Sequence, residues 1–282
     1  MSGTYGEGDL LGGGRVAQVR SWRSSRAIKI FSPGTSRSVA AEEARKTQVA
    51  WDLGLPVPRV WEVRDLEGSP AVVLDLIRGT TMVNLIRARP WVVGRMAHLS
   101  ARLLAQVHAQ AAPADFPSLC EVLRRRVTGA PALAENLRIR VLELAETAPG
   151  GAAVCHGDFH PENVIMADSG PVIIDWDNAS RGCPHADAVR TLVLVGAWPH
   201  HFSTQPIRAA VRLVSAIFSR AFKASYCRIT GTGESDLSLW LAPVAAARMG
   251  EAVEGEGPYL LRAVERGLAL AGRRRNALSA GE

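Results

Sequence analysis

The chain has 282 residues, 47% hydrophobic and 21% charged, which describes a globular protein with enough mass for two cores. Its formal charge is +6, yet lysine occurs only at Lys29, Lys46 and Lys223, so 30 of the 33 cations (33 less 3) are arginines dispersed along the chain. Small clusters at 124–126 and 273–275 without interleaved aromatics exclude a concentrated nucleic-acid footprint, and no run of about 18 uncharged apolar residues offers a membrane span.

The first 77 residues read mostly as strands. Leu10-Leu11 leads into Gly12-Gly13-Gly14, and 15–22 and 26–31 flank a Ser-Ser turn as a hairpin. Residues 38–53 have helical composition, with Gly54 as the residue that closes the helix and Pro56 and Pro58 blocking continuation. Residues 57–63 and 71–77 are two further strands around an Asp65-Leu66-Glu67-Gly68 turn. After Arg78-Gly79 helical periodicity dominates, over 91–110, 132–148, 184–195, 206–228, 237–251 and 258–271. The strand-like exceptions are 154–155, 164–166 and 172–174. The expected architecture is therefore α+β and bilobal. Residues 1–77 form a lobe built on a small antiparallel sheet, 75–79 a hinge, and 78–282 a larger helical lobe.

The short strands of the second half surround His156-Gly-Asp-Phe-His-Pro-Glu-Asn163 and Val172-Ile-Ile-Asp-Trp176. Asp158 and Asn163 stand five residues apart, the interval of the kinase catalytic loop. Phosphoryl transfer requires a metal on the phosphates, a positive group beside them and a base aimed at the attacking hydroxyl. Asp158 is the candidate base, with His156 as a scaffold residue. Asn163 and Asp175 offer the oxygen ligands suited to Mg²⁺. Singly, Asp158 and Asn163 would read as ordinary loop residues; the joint spacing with Asp175 carries the assignment. Lys29, mid-strand in Ala27-Ile-Lys-Ile-Phe31, is the candidate phosphate ligand, because a chain that otherwise uses arginine keeps a compact ammonium here. Its partner should be Glu43 or Glu42 on the next helix, with Glu43 preferred. Gly12, Gly13 and Gly14 would let backbone amides approach phosphates. The backbone at Asp75 and Ile77 is where an adenine would bond. Cys155, His156, His160, Cys183 and His185 are zinc ligands in kind, but their spacing matches no usual structural zinc pattern.

These residues resemble the aminoglycoside phosphotransferase family, relatives of eukaryotic-like kinases. The resemblance rests on His156-Gly-Asp158 with Asn163, on Ile174-Asp175-Trp176, on the Lys29 strand, and on Leu53-Gly-Leu-Pro-Val-Pro-Arg59. Residues 72–79 resemble the family's hinge and 240–251 its late helix. It implies a bilobal kinase-like fold, ATP or GTP with Mg²⁺, and transfer to the hydroxyl of a small molecule. The family includes kinases of aminoglycosides, of viomycin- and capreomycin-type peptides, and of metabolites such as choline and homoserine. Glu162, Asp177 and Glu251 would suit a basic antibiotic, making this a resistance enzyme; a metabolite kinase is the alternative, and a nucleotide-binding pseudokinase the less favoured one. Asp175-Trp-Asp177 in place of Asp-Phe-Gly argues against a protein substrate. Four cysteines without C-x-x-C spacing and no signal-peptide pattern at the start point to a cytoplasmic protein, monomeric or homodimeric, without nucleic-acid or membrane partners.

Overall fold

The computed structural model describes residues 8–13, 17–23 and 25–279; Gly14 lies outside them. In chain order the first half holds β1 (Leu10–Gly13), β2 (Ala17–Trp22), β3 (Arg26–Phe31), α1 (Arg37–Asp52), β4 (Val60–Leu66), β5 (Ser69–Asp75), β6 (Gly79–Thr81), α2 (Met82–Ala88), α3 (Val93–His108), α4 (Leu119–Thr128) and α5 (Glu135–Thr147). There follow β7 (Ala153–Cys155), β8 (Val164–Ala167), β9 (Gly170–Ile173), β10 (Ser180–Gly182), α6 (Pro184–Ala197), α7 (Gln205–Thr230), α8 (Glu234–Ser238), α9 (Leu241–Met249) and α10 (Gly257–Ser279). Two compact units result. One comprises the residues up to Asn84 with Glu162–Asn178, the other Leu85–Pro161 with the chain from Ala179 onward. The fold is α+β, with its antiparallel sheet in the N-terminal part and helices in the C-terminal part.

In the first unit five antiparallel strands run in the order β1-β2-β3-β5-β4. The two-residue period of β3 puts Ala27, Lys29 and Phe31 on one face and Ile28 on the other. Phe31 and Val72 pack with Ala40 and Ala44 of α1, while Ile28, Ala71 and Val73 join Trp22 in a second cluster on the opposite face. Helix α1 begins at Ser36, whose hydroxyl accepts from the Ser38 amide, and ends as its sequence dictates: Gly54 adopts φ +74° just after it. The β4–β5 hairpin is tighter than the expected four-residue turn. Glu67 (φ +50°) and Gly68 (φ +82°) make a two-residue turn of the kind that matches strand twist, so pairing continues to Leu66↔Ser69. A second sheet, β6-β8-β9, brings the segment after the catalytic loop into this unit.

In the second unit α3 packs on α7, and α9 is sheathed by its neighbours, with Ala242 and Val244–Ala247 at 0–1% exposure. Phe218, Phe222 and Tyr226 recur every fourth residue of α7 and stack at 6.1 and 5.9 Å. Two expectations are corrected here. The helix over 237–251 is broken into α8 and α9, because Pro243 lacks an amide and belongs in a helix's first turn, so α9 starts at Leu241. Helix α4 was not expected, although Ser118-Leu-Cys-Glu121 carries the start signal; the Ser118 hydroxyl accepts from the Glu121 amide at 3.4 Å. Among the described residues no helix is long and apolar enough to cross a membrane.

Candidate active site

The loop after β7 is held from below by one buried carboxylate. Asp187, in the first turn of α6 and 1% exposed, accepts from the amides of His156 (2.7 Å) and Gly157 (2.8 Å) and from His108 Nε2 (3.1 Å). His108 Nδ1 in turn lies 2.7 Å from the Tyr226 hydroxyl. Gly157 sits at φ +77°, where a side chain would be strained, which accounts for glycine beside the candidate base. His156 is fully buried and its Nδ1 accepts from the Asp158 amide at 3.2 Å, so it serves the loop's shape. Of the zinc-like residues, Cys155 and His156 belong to this bracing, while His160 faces Asp158 and His185 faces Thr232. His108, Cys155 and Asp187 converge within 4.8 Å, with Asp187 already saturated by amides and imidazole.

Asp158 presents its carboxylate beside Arg190 Nη2 (3.2 Å) and His160 Nε2 (3.5 Å). Burial opposes its ionisation, but His160, Arg190 and His156 outweigh burial and hold the carboxyl well below the usual range. It is therefore an anion at neutral pH, the state in which it can accept a proton. Arg190 also donates from Nε to the Gly157 carbonyl, and its Nη1 lies 2.8 Å from Glu251. Glu251 is taken by Arg126 (2.9 Å) and Arg248 as well. Arg248 continues to Glu256 through paired contacts of 2.7 and 2.8 Å, and Glu256 meets His201 at 2.8 Å. Glu251, expected to face substrate, thus lies inside an arginine cluster; burial opposes its ionisation, but Arg190 and Arg248 outweigh it and hold its carboxyl below the ordinary range. Glu256 is fully buried, although Ala252, Glu254 and Gly255 before it are exposed.

A second constellation forms in the sheet unit. Lys29 Nζ lies 2.6 Å from Glu43 Oε1 and 2.8 Å from Asp175 Oδ1. Glu42 pairs instead with Arg45 on the same helix. Burial works against the Lys29 ammonium, but the two carboxylates more than restore it and raise its pKa above the ordinary value. For Glu43 burial is the larger influence and pushes the carboxyl up to about 7, with Lys29 opposing. Asp175 follows β9 in the left-handed region, φ +67°, a conformation aspartate tolerates better than most residues. The Ile174 amide donates to the Asn163 carbonyl at 3.0 Å, which fixes Asn163 beside the residue preceding Asp175. A carboxylate and an amide, both hard oxygen donors on neighbouring backbone, fit Mg²⁺ in kind.

The remaining predicted positions divide. Gly12 and Gly13 lie in edge strand β1, paired with Val19 and Gln18, and a side chain at either would meet nothing within 4 Å. Asp75 ends β5, and its carboxylate ties back to β4 through Trp61 Nε1 (2.7 Å) and the Arg59 amide (3.3 Å). Ile77 follows without a backbone hydrogen bond among the described residues. Glu162 and Asp177 are exposed, while the Asp177 carbonyl is engaged. His108 and Arg190 carry no local signal in the sequence, while Asp187 carries a weak one. Asp187 at the start of its helix is legible from the chain as an acid bracing the catalytic loop or as a plain first-turn carboxylate, and its bonds to the loop amides match the first; nothing local marks His108, 79 residues away. A cavity of about 580 Å³ lined by Arg102, His108, His185 and Tyr226 touches this bracing, but none of the predicted site residues lines it.

The sequence pattern of the phosphotransferase enzyme family matches residues 13–222. No curated protein matches the chain. Among solved structures, an aminoglycoside-3'-phosphotransferase of type VIII is similar at TM-score 0.61 and 21% identity, over 86% of this chain and 90% of that one. Aminoglycoside phosphotransferase APH(4)-Ia, in a ternary complex with ADP and hygromycin B, is similar at TM-score 0.61 and 14% identity, over 93% and 92%. A choline/ethanolamine kinase family protein from Mesorhizobium loti is similar at TM-score 0.60 and 16% identity, over 95% and 93%. At such identities these likenesses establish a shared fold. The family pattern covers most of the chain and runs through Lys29, Glu43, Asp158, Asn163 and Asp175, and so the chain belongs to the phosphotransferase enzyme family, whose members act on the hydroxyl groups of small molecules.

Proposed function

We propose that this enzyme moves the γ-phosphoryl group of ATP or GTP to a hydroxyl of a small basic acceptor, an aminoglycoside or a viomycin- or capreomycin-type peptide, and thereby confers resistance. The observation that carries the reaction is Lys29, bonded at once to Glu43 and Asp175. An ammonium held by a helix carboxylate and beside a metal-type carboxylate is the arrangement that neutralises nucleotide phosphates. Asn163 and Asp175 would hold Mg²⁺, which when bound offsets charge on the phosphates. The Ile77 backbone supports the hinge assignment for the base of the nucleotide.

In the proposed transfer, Asp158 accepts the acceptor's hydroxyl proton while that oxygen bonds to the γ-phosphorus. The bond from the γ-phosphorus to the bridging oxygen breaks, and the nucleoside diphosphate leaves with the electron pair. Arg190 and His160 keep Asp158 ionised for this step, and Asp187 fixes the loop that carries it. The passage of the chain from one compact unit to the other falls between Pro161 and Glu162, inside the five-residue interval from Asp158 to Asn163.

Exposed Glu162 and Asp177 support a cationic acceptor. The arginine cluster neutralises Glu251 and Glu256, which weakens the case for a cationic acceptor and favours a zwitterionic metabolite such as homoserine. Labelled ATP and GTP offered with a panel of aminoglycosides, cyclic basic peptides, macrolides, choline and homoserine separates the two. Turnover on a cationic antibiotic is expected; turnover confined to choline or homoserine would replace the first reading by the second.

A further inference from the structure

We propose that Lys46 is a positioning residue for the metal-binding carboxylate, Asp175; this rests on the phosphotransfer reading of Lys29 and Asp175. Lys46 lies on α1 one turn after Glu43, and its side chain is 6% exposed. Its Nζ donates to the Asp177 carbonyl at 2.6 Å, two residues beyond Asp175. Burial works against the charge on Lys46, with Glu42 and Asp177 supporting it. The residue is thus a buried cation spent on a main-chain oxygen.

Three facts give this contact a role beyond packing. First, Asp175 holds a left-handed backbone conformation that its neighbours must enforce. On the strand side, the Ile173 amide bonds to the Pro56 carbonyl at 2.7 Å and the Ile174 amide to Asn163. Beyond Asp175, Trp176 is fully buried with its Nε1 on the Ile173 carbonyl, and Lys46 closes the segment at Asp177. Second, the chain has only three lysines, and two of them, Lys29 and Lys46, serve the span from Asp175 to Asp177. A slim ammonium fits where a planar guanidinium is too broad. Third, Glu43 and Lys46 share one face of α1, so the helix grips both Lys29 and the end of the metal segment. A displacement of α1 would loosen both together.

The test uses the full-length protein, AMP-PNP and Mn²⁺ followed by electron paramagnetic resonance, with circular dichroism to confirm folding. Metal-free AMP-PNP affinity is measured alongside. Lys46→Met removes the donor at nearly equal length, and Lys46→Gln keeps a neutral donor in case the first variant misfolds. Lys46→Met is expected to weaken Mn²⁺ binding by ~10-fold or more, the scale at which outer partners of metal ligands act, with metal-free nucleotide affinity little changed. Lys46→Gln should recover part of that loss. Asp175→Asn, measured in parallel, must abolish Mn²⁺ binding. If it does and folded Lys46→Met or Lys46→Gln binds Mn²⁺ within about twofold of the parent, the positioning role is wrong. If Asp175→Asn leaves Mn²⁺ binding intact, the metal assignment itself fails and the inference falls with it.

Discussion

Removing the Asp187 carboxylate should cost the protein both stability and catalysis. In Asp187→Ala the amides of His156 and Gly157 and the Nε2 of His108 lose their acceptor in a region where Asp187 is 1% and His156 0% exposed. Each buried amide left unpaired costs about 1–3 kcal/mol, so two give ~2–6 kcal/mol before any water enters the gap. Against a total stability of about 5–15 kcal/mol this is a large share. At about 2–4 °C per kcal/mol for a unit of this size, the melting temperature should fall by ~4–24 °C. Asp187→Asn keeps one acceptor but turns an N–H toward an N–H, and should land between wild type and Ala. The pH dependence has a definite sign. Burial opposes ionisation of Asp187, but His108, His156 and the Gly157 amide hold its carboxyl below the ordinary value. A depressed acid contributes stability above the unfolded pKa of about 3.9 and loses it as pH falls through the folded one. Wild type should therefore show an acid limb of unfolding that Asp187→Asn has in weaker form. Calorimetric melts from pH 3 to 8 read both effects. A melting temperature for Asp187→Ala within about 2 °C of wild type at pH 7 would refute the bracing role.

Asp158→Ala should lower transfer ~10²–10⁴-fold with nucleotide binding retained, measured by calorimetric titration of AMP-PNP; an unchanged rate would remove Asp158 as the base. Glu43→Gln should change the pH profile of stability: Glu43's raised carboxyl favours the fold fully below its unfolded pKa and loses that contribution as pH rises through about 7, so the Gln variant lacks this decline. Melts between pH 5 and 8 compare the two proteins, and identical slopes would contradict the assignment. Glu162→Gln with Asp177→Asn should raise KM for a cationic acceptor severalfold at low salt and less at high salt, with kcat kept; a salt-independent or absent effect would argue for an uncharged acceptor.

Local chemistry explains which parts were readable from the chain alone. The Asp158–Asn163 interval, Asp175 at the end of an apolar run and Lys29 on the inward face of β3 are signals within a few residues, and the structure sets each on the element expected for it. Gly54 was legible because only a left-handed turn needs it there. Other features depend on partners distant in sequence. Arg190 was one of 30 arginines in a helix, and only folding places it 3.2 Å from Asp158, 32 residues earlier. Glu251 read as an acid facing a basic substrate because charge pattern carries no information on which arginines converge, and Arg126 comes from 125 residues away.

Lysine scarcity was the one compositional signal with more to yield. Applied to Lys29 it singled out a site residue; the same reasoning applies to Lys46, three positions after Glu43, on the helix face that period and burial assign inward. The third lysine supplies the contrast. Lys223 pairs with Glu234 on the surface, where the side chains are 37% and 67% exposed and such a pair contributes little. An arginine could replace it at small cost. Scarcity therefore marks a site only where burial makes the size of the cation matter, and that condition separates Lys29 and Lys46 from Lys223.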